Sequence, residues 1–472
     1  METSYIQEYN AINKNLSEII GADKKVPLID GTSVSYINLD NAASTPSFRF
    51  TKEKVDSMLE WYSSVHRGAG FKSLLSTHIY DQCRQIVRKF IDADADDAII
   101  FCENTSVAIN RLANILKLGK DDVIITTMME HHSNDLPWRS KGKVVYVGLD
   151  QDGSLDLQKF KQSLEDFSGK VKLIAITGAS NVTGFINPIY SLAELAHQHG
   201  AKIFVDCAQL APHRQIRMGK IGSLQRLDFI ALSAHKMYAP FGGGILVGPK
   251  EHFDQYPPDY SGGGTIKIVT LDDVYWAESP ERNEVGSPNV IGAVALAASM
   301  QVLSYLKMET IAQHETMLTQ YILERLQDFN GIQIYGSRNP NRLDDRLGVI
   351  SFQVNGVPHA KVAAILSHEG GIAVRNGCFC AHPYVLNLLG INKEDFEFYK
   401  QKALNQDRSH LPGLVRVSFG CYNTIQDIDR FLDMLENIVA GKYLGDYVVD
   451  QPTGSYLPRN FNSKIFDNYF EL

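Results

Sequence analysis

The chain has 472 residues, 44% of them hydrophobic and 21% charged, which is the composition of an ordinary globular protein with a large core. Its 46 lysines and arginines stand against 54 aspartates and glutamates, and the net charge of −8 argues against nonspecific binding to nucleic acid. Six cysteines are too few in so long a chain for a disulfide framework.

The N-terminal residues do not have the pattern of a signal peptide. METSYIQEYNAINKNLSEII lacks a basic region followed by an apolar core, and residues 1–35 are predicted to form an amphipathic helix and a loop. No run of about 18 apolar residues occurs, so no membrane span is predicted. We therefore expect a soluble cytoplasmic enzyme, and the length suggests two or three domains.

The first predicted elements lead into a turn of small residues. Residues 36–39 are a short strand, and residues 40–46 form a turn in which the backbone can approach a ligand closely. Helices over 51–65 and 76–92 and a strand over 98–101 follow. Alone, this turn is weak evidence of a binding site.

Two hydroxyl residues, Thr105 and Ser106, stand at the start of the next predicted helix. Such residues first of all cap a helix by accepting hydrogen bonds from its free N–H groups. The same end of a helix also binds phosphate, because those N–H groups and the helix dipole point outward. On these residues alone, both roles stay open.

Polar side chains also follow the predicted strands over 123–126 and 173–176. His131 and His132 come after the first strand. One imidazole could stack on an aromatic ring and move protons near neutral pH, but adjacent side chains point in different directions, so at most one does so. Asn181 follows the second strand and could donate a hydrogen bond to a ligand or only shape the turn.

A lysine follows the buried strand predicted over 229–232. Lysine normally stays in solvent. If Lys236 is partly desolvated, its ammonium loses a proton more readily, and the neutral amine can form a Schiff base with an aldehyde. Ser233 and His235 flank it and can hydrogen-bond an anion. A phosphate-bearing aldehyde would use all three residues.

An aspartate at the end of another buried strand, 202–206, makes this interpretation more specific. Pyridoxal phosphate withdraws electrons only while its ring nitrogen is protonated, and a carboxylate beside that nitrogen keeps it so. Asp206 precedes Lys236 by 30 residues, about one βαβ unit, and Gln209 follows three residues after Asp206. Two neighbouring strand ends could aim both side chains at one ring. The alternative is a capping aspartate and a surface lysine.

The predicted elements divide the chain into a large and a small domain. Strands and helices alternate from about 98 to 248, which predicts an α/β fold with a mostly parallel sheet that binds ligands at the strands' C-terminal ends. Strands of a smaller α+β domain follow residue 330. The predicted boundaries are an N-terminal segment over 1–38 that contributes to the small domain, a large domain over 39–305, a small domain over 306–440 and a tail over 441–472.

Two cysteines, Cys378 and Cys380, lie in a loop bounded by glycine, asparagine and proline. Arg375 and His382 make the loop electropositive, which lowers a thiol pKa and supplies thiolate. A zinc site requires four ligands at set spacing, and this pair has no matching second pair, so no metal is predicted. A redox disulfide between the two thiols would be geometrically poor.

An arginine points inward from the strand predicted over 414–419. Arg416 alternates with Val415 and Val417 on what is predicted to be an edge strand, and it could capture a substrate carboxylate with two hydrogen bonds. The alternative is a surface salt bridge. Residues 391–413 are predicted to be a charged surface excursion, and the tail could pack across a neighbouring subunit.

These motifs, in this order, resemble the class V aminotransferase family of fold type I pyridoxal phosphate enzymes, and within it the cysteine desulfurase and selenocysteine lyase group. The resemblance implies a mostly parallel sheet of the seven-stranded type and a homodimer. The matching motifs lie between about Leu39 and Glu436 and are LDNAASTP, VHRG, ENTSVAIN, MEHHSN, SNVTG, VDCAQ, SAHKMYAP, EVGSPN, RNGCFCA and RVSFGCYNT.

The resemblance also implies a role for each candidate residue. Lys236 would hold pyridoxal phosphate and move the α-proton, His131 would stack on the ring, and Cys380 would take the sulfur as a persulfide. Arg416, Arg375 and Asn181 would bind the substrate. The other residues implied to contact the cofactor are Asp206 at the ring nitrogen, Gln209 and Asn181 at the ring oxygen, Thr105, Ser106, Ser233 and His235 at the phosphate, and Ser287 at the phosphate held by the other subunit.

The predicted function is that of a cysteine desulfurase that converts L-cysteine to L-alanine, with selenocysteine as a further substrate and a protein as sulfur acceptor. Cys378-Phe379 departs from the two histidines usual in bacterial members and is closer to the desulfurase domain of molybdenum cofactor sulfurases. The alternatives are a C–S lyase, epimerase or aminotransferase of the same family, in which Cys380 is not the nucleophile, and a scaffold protein without catalysis. A nucleotide-binding protein is disfavoured, because no G-x-G-x-x-G follows an early strand.

Overall fold

A computed structural model of the chain describes residues 19–327 and 329–472. Most of the helix predicted within residues 1–35 lies outside the described residues. The part that is described, from residue 19 onward, contains an antiparallel hairpin of the short strands Lys25–Pro27 and Ser33–Ser35.

A seven-stranded sheet forms the centre of the molecule. Only Gly244–Pro249 runs antiparallel to its neighbours, so the predicted mostly parallel sheet is confirmed. Across the sheet the strands are Asp97–Cys102, Gly244–Pro249, Phe229–Ser233, Lys202–Asp206, Val171–Thr177, Val123–Thr127 and Lys143–Val147.

Helices cover this sheet, which explains why its inner strands are apolar on both faces. Every residue of Val123–Thr127 and Phe229–Ser233 is buried. Helix Val290–Leu306 is apolar around most of its circumference because it is itself largely enclosed. The helices of this part are Arg49–Trp61, Phe71–Phe90, Thr105–Ile115, Leu157–Asp166, Ile189–Gln198, Lys250–Asp254 and Val290–Leu306. Helix Met308–Gln327 follows and packs on helices Val290–Leu306 and Ile425–Val439.

The strand register places the functional segments side by side. Asp206 at the end of its strand pairs with Ala231 on one side and with Thr177 on the other. Because these strands are parallel, their carboxyl ends meet at one edge of the sheet. The turn Ala234–Lys236 therefore begins close to Asp206.

A second, antiparallel sheet lies in the C-terminal part of the chain. Its strands, in order, are Ile332–Tyr335, Val349–Val354, Leu414–Ser418 and Arg375–Gly377. The prediction that the Arg416 strand is an edge strand is wrong, because Arg375–Gly377 pairs along its free side. Helices His359–Gly370 and Ile425–Val439 pack on this sheet.

The segment 391–413 and the tail contain regular structure that the sequence did not predict. Helices His382–Leu388 and Lys393–Leu404 follow the Cys380 loop, and the second of them buries none of its residues. In the tail, strands Tyr447–Asp450 and Ser455–Pro458 form a hairpin that packs on helix His359–Gly370 of the same chain. That the tail could also pack across a neighbouring subunit stays a prediction.

A buried carboxylate joins the two sheets. Glu315 on helix Met308–Gln327 contacts His213 and Arg214, which follow the Asp206 strand, and accepts a hydrogen bond from the Gly348 N–H at 2.8 Å. Burial alone would raise the pKa of Glu315, but the His213 and Arg214 side chains hold that pKa well below its usual value. Glu315 therefore stays ionised at the joint.

Among residues 19–327 and 329–472, no single helix is long and apolar enough to cross a membrane. Helices Val290–Leu306 and Met308–Gln327 have the necessary length and composition only together, and the chain bends by 74° between them. The same residues include no group of three histidine, cysteine or acidic side chains that could hold a metal ion.

Candidate active site

A cavity of about 570 Å³ opens where the central strands of the large sheet end. This volume is typical of small-molecule sites. All the predicted site residues except Ser287 line it, namely Thr105, Ser106, His131, Asn181, Asp206, Gln209, Ser233, His235, Lys236, Arg375, Cys380 and Arg416.

The buried carboxylate of Asp206 faces this cavity. The Ala208 N–H donates to Asp206 Oδ1 at 2.9 Å. Burial raises the pKa of Asp206, while the nearby Lys236 opposes that rise. A carboxylate this deeply buried requires a nearby cation, and Lys236 provides that positive charge.

The amine of Lys236 lies in the same cavity, at the end of the turn that follows strand Phe229–Ser233. Its Nζ donates to Gln209 Oε1 at 3.4 Å. Burial lowers the pKa of Lys236 to about 8, although Asp206 favours the charged form. Much of the amine is therefore neutral at mildly alkaline pH and able to act as a nucleophile or base.

This pKa predicts the pH dependence of Lys236 labelling by an amine-selective reagent. In the ligand-free protein, the labelling rate of Lys236, measured by peptide mass spectrometry, should rise through about pH 8 and then level off, because the neutral amine reacts. The exposed Lys172 serves as an internal control for the pH dependence of the reagent itself. Identical profiles for the two lysines would contradict the placement of Lys236 in a desolvated site.

Hydroxyl groups gather at the start of helix Thr105–Ile115. Ser233 Oγ accepts from the Thr105 N–H at 2.9 Å and lies 2.7 Å from Thr105 Oγ1, while Ser106 Oγ lies 2.5 Å from Ser133 Oγ. The helix cap is Asn104, whose Oδ1 accepts from Val107 N at 3.0 Å. The capping alternative for Thr105 and Ser106 is therefore wrong, and both hydroxyls line the cavity.

Of the two adjacent histidines, only His131 lines the cavity. The Ser133 N–H donates to His131 Nδ1 at 3.1 Å, so the proton of the neutral ring lies on Nε2. Burial, with Lys236 as the next cause, lowers the pKa of His131 to about 4. The ring is therefore neutral at physiological pH. Sequence reasoning missed Ser133, although its spacing of two residues from His131 was visible.

The turn over residues 40–46 is hydrogen-bonded to the loop that carries Lys236. The Thr45 N–H donates to the His235 carbonyl oxygen at 2.9 Å, and Ser44 Oγ lies 3.3 Å from His235 Nδ1. Thr45 Oγ1 also accepts from the Tyr238 N–H at 2.7 Å. These bonds fix the main chain on both sides of Lys236.

Arg416 is held in place by neighbours that leave part of its guanidinium free. Its Nη1 donates to the Asn181 carbonyl oxygen and its Nη2 to Asp40 Oδ1, both at 2.9 Å. Its Nε is buried without a hydrogen-bond partner among the described residues. The side chain is only 2% exposed, so the surface salt bridge alternative is wrong.

The anion Asp40 connects the two predicted substrate arginines, and sequence reasoning missed it. Its Oδ2 lies 3.7 Å from Arg375 Nη1, while its Oδ1 accepts from Arg416. Arg375 is exposed at the cavity mouth, whereas Arg416 lies deep within it. The cavity therefore has a cationic wall that suits a carboxylate.

Cys380 sits on a turn with an unusual backbone. Phe379 and Cys380 have φ angles of +51° and +55°, in the left-handed region that non-glycine residues rarely adopt. One N–H of the Asn181 side-chain amide holds this turn by donating to the Phe379 carbonyl oxygen at 2.7 Å, and the Arg416 guanidinium lies 4.9 Å from the Phe379 ring centroid. The Cys380 side chain is exposed and lines the cavity.

The second thiol of the loop, Cys378, faces a different cavity. Its Sγ donates to the Pro412 carbonyl oxygen at 3.2 Å, beside helix Lys393–Leu404. Burial raises the pKa of Cys378 to about 12. The prediction that the loop lowers thiol pKa values is therefore wrong for Cys378. The two thiols of the pair have separate environments.

Ser287 is exposed and lies outside the cavity of its own chain. Its loop is anchored by the buried Glu284, which accepts two hydrogen bonds from Arg84 at 2.8 and 2.7 Å. Tyr80 and the Phe101 N–H donate to the same carboxylate at 2.9 and 2.7 Å. The hydrogen bonds of Glu284 therefore hold this loop in place, with Ser287 at the surface.

Comparison with known proteins finds one protein family that matches most of the chain. The model of the family described as "Aminotransferase class-V" matches residues 37–431. A probable cysteine desulfurase of Halalkalibacterium halodurans is 36% identical over 86% of this chain and 94% of its own length. The cysteine desulfurase of Haloferax volcanii is 30% identical over 92% of this chain and 98% of its own.

Solved structures of similar proteins agree with this result. The apo structure of the cysteine desulfurase from Thermococcus onnurineus NA1 superposes with a TM-score of 0.75 and 34% identity, covering 86% of this chain and 95% of that one. The cysteine desulfurase CsdA from Escherichia coli, solved with an S-sulfonic acid, gives a TM-score of 0.71 and 26% identity over 87% of this chain and 96% of that one.

Proposed function

The chain belongs to the class V aminotransferase family, and from that membership we propose that it is a pyridoxal phosphate-dependent cysteine desulfurase. It would convert L-cysteine to L-alanine and capture the sulfur as a persulfide on Cys380. The observation that carries the proposal is one cavity lined by Lys236, Arg416 and Cys380. An amine, a carboxylate-binding cation and a thiol are the groups that this reaction needs.

The residues in the cavity fit pyridoxal phosphate. The buried Asp206 suits the protonated ring nitrogen, and the hydroxyls of Thr105 and Ser233 lie at a helix N-terminus, where phosphate binds well. When bound, the cofactor withdraws electrons from the α-carbon of the substrate. The residues that would hold it are Lys236 at the aldehyde carbon, Asp206 at the ring nitrogen, Gln209 and Asn181 at the ring oxygen, His131 against the ring, and Thr105, Ser106, Ser233 and His235 at the phosphate.

Lys236 would move the proton at the α-carbon of the substrate. A general base works best when its pKa is close to the working pH, and burial brings the pKa of Lys236 to about 8. The neutral His131 beside it adds no positive charge that would lower that pKa further. Lys236 therefore serves both as the attachment point and as the proton carrier.

Cys380 would act as the nucleophile toward sulfur. Its Sγ attacks the substrate sulfur, an S–S bond forms and the Cβ–S bond breaks, leaving the electron pair on the substrate carbon. Protonation of that carbon gives alanine, and Cys380 keeps the sulfur as a persulfide. A thiol of an acceptor protein would then take the outer sulfur from the exposed Cys380.

Arg416 would bind the substrate carboxylate, so Arg416→Lys should raise the KM for L-cysteine by about 10- to 100-fold with a smaller change in kcat. The reason is that lysine cannot form two parallel hydrogen bonds to a carboxylate. The measurement is alanine formation over a range of cysteine concentrations. Arg375→Lys is the matched control and should raise KM less, because Arg375 is exposed. An unchanged KM in Arg416→Lys would remove it from the substrate site.

Product analysis tests the proposed reaction directly. The protein is incubated with L-cysteine, L-selenocysteine and L-cysteine sulfinate, and the amino acid formed is identified by mass. Alanine from cysteine is expected, and alanine from selenocysteine would add selenocysteine lyase activity. Pyruvate in place of alanine would favour a C–S lyase of the same family.

A homodimer, a cytoplasmic location and two domains are also proposed. Ser287 is displayed at the surface, and the hairpin of strands Ile266–Val269 and Val274–Trp276 exposes apolar side chains that a second subunit would cover. All six cysteines are free, as is usual in reducing compartments. One apolar cluster is built mainly from residues between 318 and 438, which supports a small domain over 306–440 beside a large one over 39–305.

A further inference from the structure

The turn that carries Cys380 needs support on both sides. Its two left-handed residues, Phe379 and Cys380, adopt a backbone that persists only where neighbouring groups hold it. On the N-terminal side, Asn181 and Arg416 contact Phe379. On the C-terminal side, the contacts come from His132, a residue that lies outside the cavity and has no part in the proposed reaction.

His132 forms two hydrogen bonds with the main chain around Ala381. Its main-chain N–H donates to the Cys380 carbonyl oxygen at 2.7 Å. Its ring Nε2 accepts from the His382 main-chain N–H at 3.3 Å. One residue therefore binds the main chain on both sides of Ala381.

The ring of His382 adds a third contact. The two imidazoles stack, with centroids 4.9 Å apart and planes 8° from parallel. His382 Nδ1 lies 3.1 Å from His132 Nε2.

We propose that His132 is a positioning residue for Cys380: its main-chain N–H and its ring Nε2 together hold residues 380–382 against the cavity, so that the thiol faces the substrate. The proposal rests on the proposed function, because it assigns His132 to the sulfur-capturing step. His132 touches neither the substrate nor the cofactor site, so its effect is transmitted through the main chain of the turn.

The protonation state of the pair agrees with this role. His132 Nε2 can accept a hydrogen bond only while it carries no proton. Burial lowers the pKa of His132, with the neighbouring His382 as the next cause, and burial also lowers the pKa of His382. Both rings are therefore neutral near pH 7, and Nε2 of His132 is available as an acceptor.

Hydrogen exchange and thiol labelling of the cofactor-loaded, substrate-free protein test the proposal. In His132→Ala, amide exchange across residues 377–383 and alkylation of Cys380 by iodoacetamide should both become about 5- to 10-fold faster, the size expected for one lost hydrogen bond, because the main-chain N–H of residue 132 remains. His132→Phe keeps an aromatic ring against His382 without the acceptor, so it should behave like His132→Ala. His410→Ala, at an exposed histidine outside the turn, is the matched control and should match the wild type.

Steady-state kinetics distinguish a loss of Cys380 positioning from a general loss of structure. His132→Ala should keep the KM for L-cysteine within about twofold, because Arg416 is untouched, while kcat falls several-fold. Unchanged exchange and alkylation in His132→Ala would overturn the proposal, and so would a wild-type-like His132→Phe. If Cys380 proved not to capture sulfur, amide exchange would still show whether His132 holds the turn. The positioning role of His132 and the proposed desulfurase function can therefore fail independently. Should His132→Ala not fold, His132→Phe and His382→Ala carry the same test, the latter with a smaller increase because the His382 N–H remains.

Discussion

Lys236→Ala should lower alanine formation from L-cysteine by at least about 1,000-fold, the largest effect expected of any single substitution in this chain. The variant loses the group that would hold the cofactor and also the group that would move the α-proton, and losses of this size are usual when a covalent catalyst is removed. Two measurements check it: the initial rate of alanine formation, and the mass of the residue 236 peptide after borohydride reduction of the loaded protein.

Two further variants make the Lys236 result specific. Lys236→Arg keeps a cation beside Asp206, but guanidinium holds its proton at any relevant pH, so this variant should be as inactive as Lys236→Ala. Lys172→Ala removes an exposed lysine on strand Val171–Thr177, two strands away in the sheet, and should leave the rate unchanged. Retention of more than a tenth of the wild-type rate by Lys236→Ala would mean that another residue carries the chemistry.

Cys380→Ala should lower sulfide and alanine production from L-cysteine by about 100- to 1,000-fold while the protein still binds pyridoxal phosphate. The reason is that the cofactor residues stay intact and only the sulfur nucleophile is lost. Sulfide and alanine are measured together, and cofactor content is read from the visible absorbance of the purified protein. The two readings separate loss of sulfur capture from loss of the site.

Cys378→Ala is the matched control for that prediction. Cys378 lies two residues away on the same loop but opens to the other cavity, and its thiol is hydrogen-bonded to Pro412. Activity should stay within about threefold of the wild type. Undiminished turnover in Cys380→Ala would favour another reaction of the family, such as C–S lysis, epimerisation or transamination, in which this thiol is not the nucleophile.

The centre of the site was predictable because its signals are local in sequence. Asp206 and Lys236 each end or follow a run of buried apolar residues, and in parallel sheets such ends converge. The register that pairs Asp206 with Ala231 then brings the two segments together. The predicted strand ends alone therefore indicated where the cavity lies.

Contacts between distant parts of the chain were not predictable in this way. Asp40 and Arg416 are separated by 376 residues, and nothing near Asp40 indicates an ion pair with that arginine. The placement of Arg416 on an inner strand likewise depends on Arg375–Gly377, which the sequence presented only as part of a loop. Such pairings follow from tertiary packing, which overrides local preference.

Helix Lys393–Leu404 was missed for a different reason. Its apolar residues Phe396, Tyr399 and Ala403 have helical spacing and line the Cys378 cavity, but charged residues lie among them and no residue of the helix is buried, so the sequence looked like a charged loop. The start of helix Thr105–Ile115 shows the opposite case: the hydroxyls suggested a cap, but Asn104 one residue earlier supplies it. Only the structure distinguishes a capping side chain from one that is free to bind a ligand.

The buried Glu315 limits how substrate can reach the cavity. A hinge motion that separated the two proposed domains would pull this carboxylate, which lies in the small domain, away from His213 and Arg214 in the large one. Leaving one partner of a buried ion pair uncompensated costs about 3–5 kcal/mol. Clamshell opening at every turnover is therefore disfavoured, and we expect cysteine to enter and alanine to leave the cavity while the two domains keep their relative arrangement.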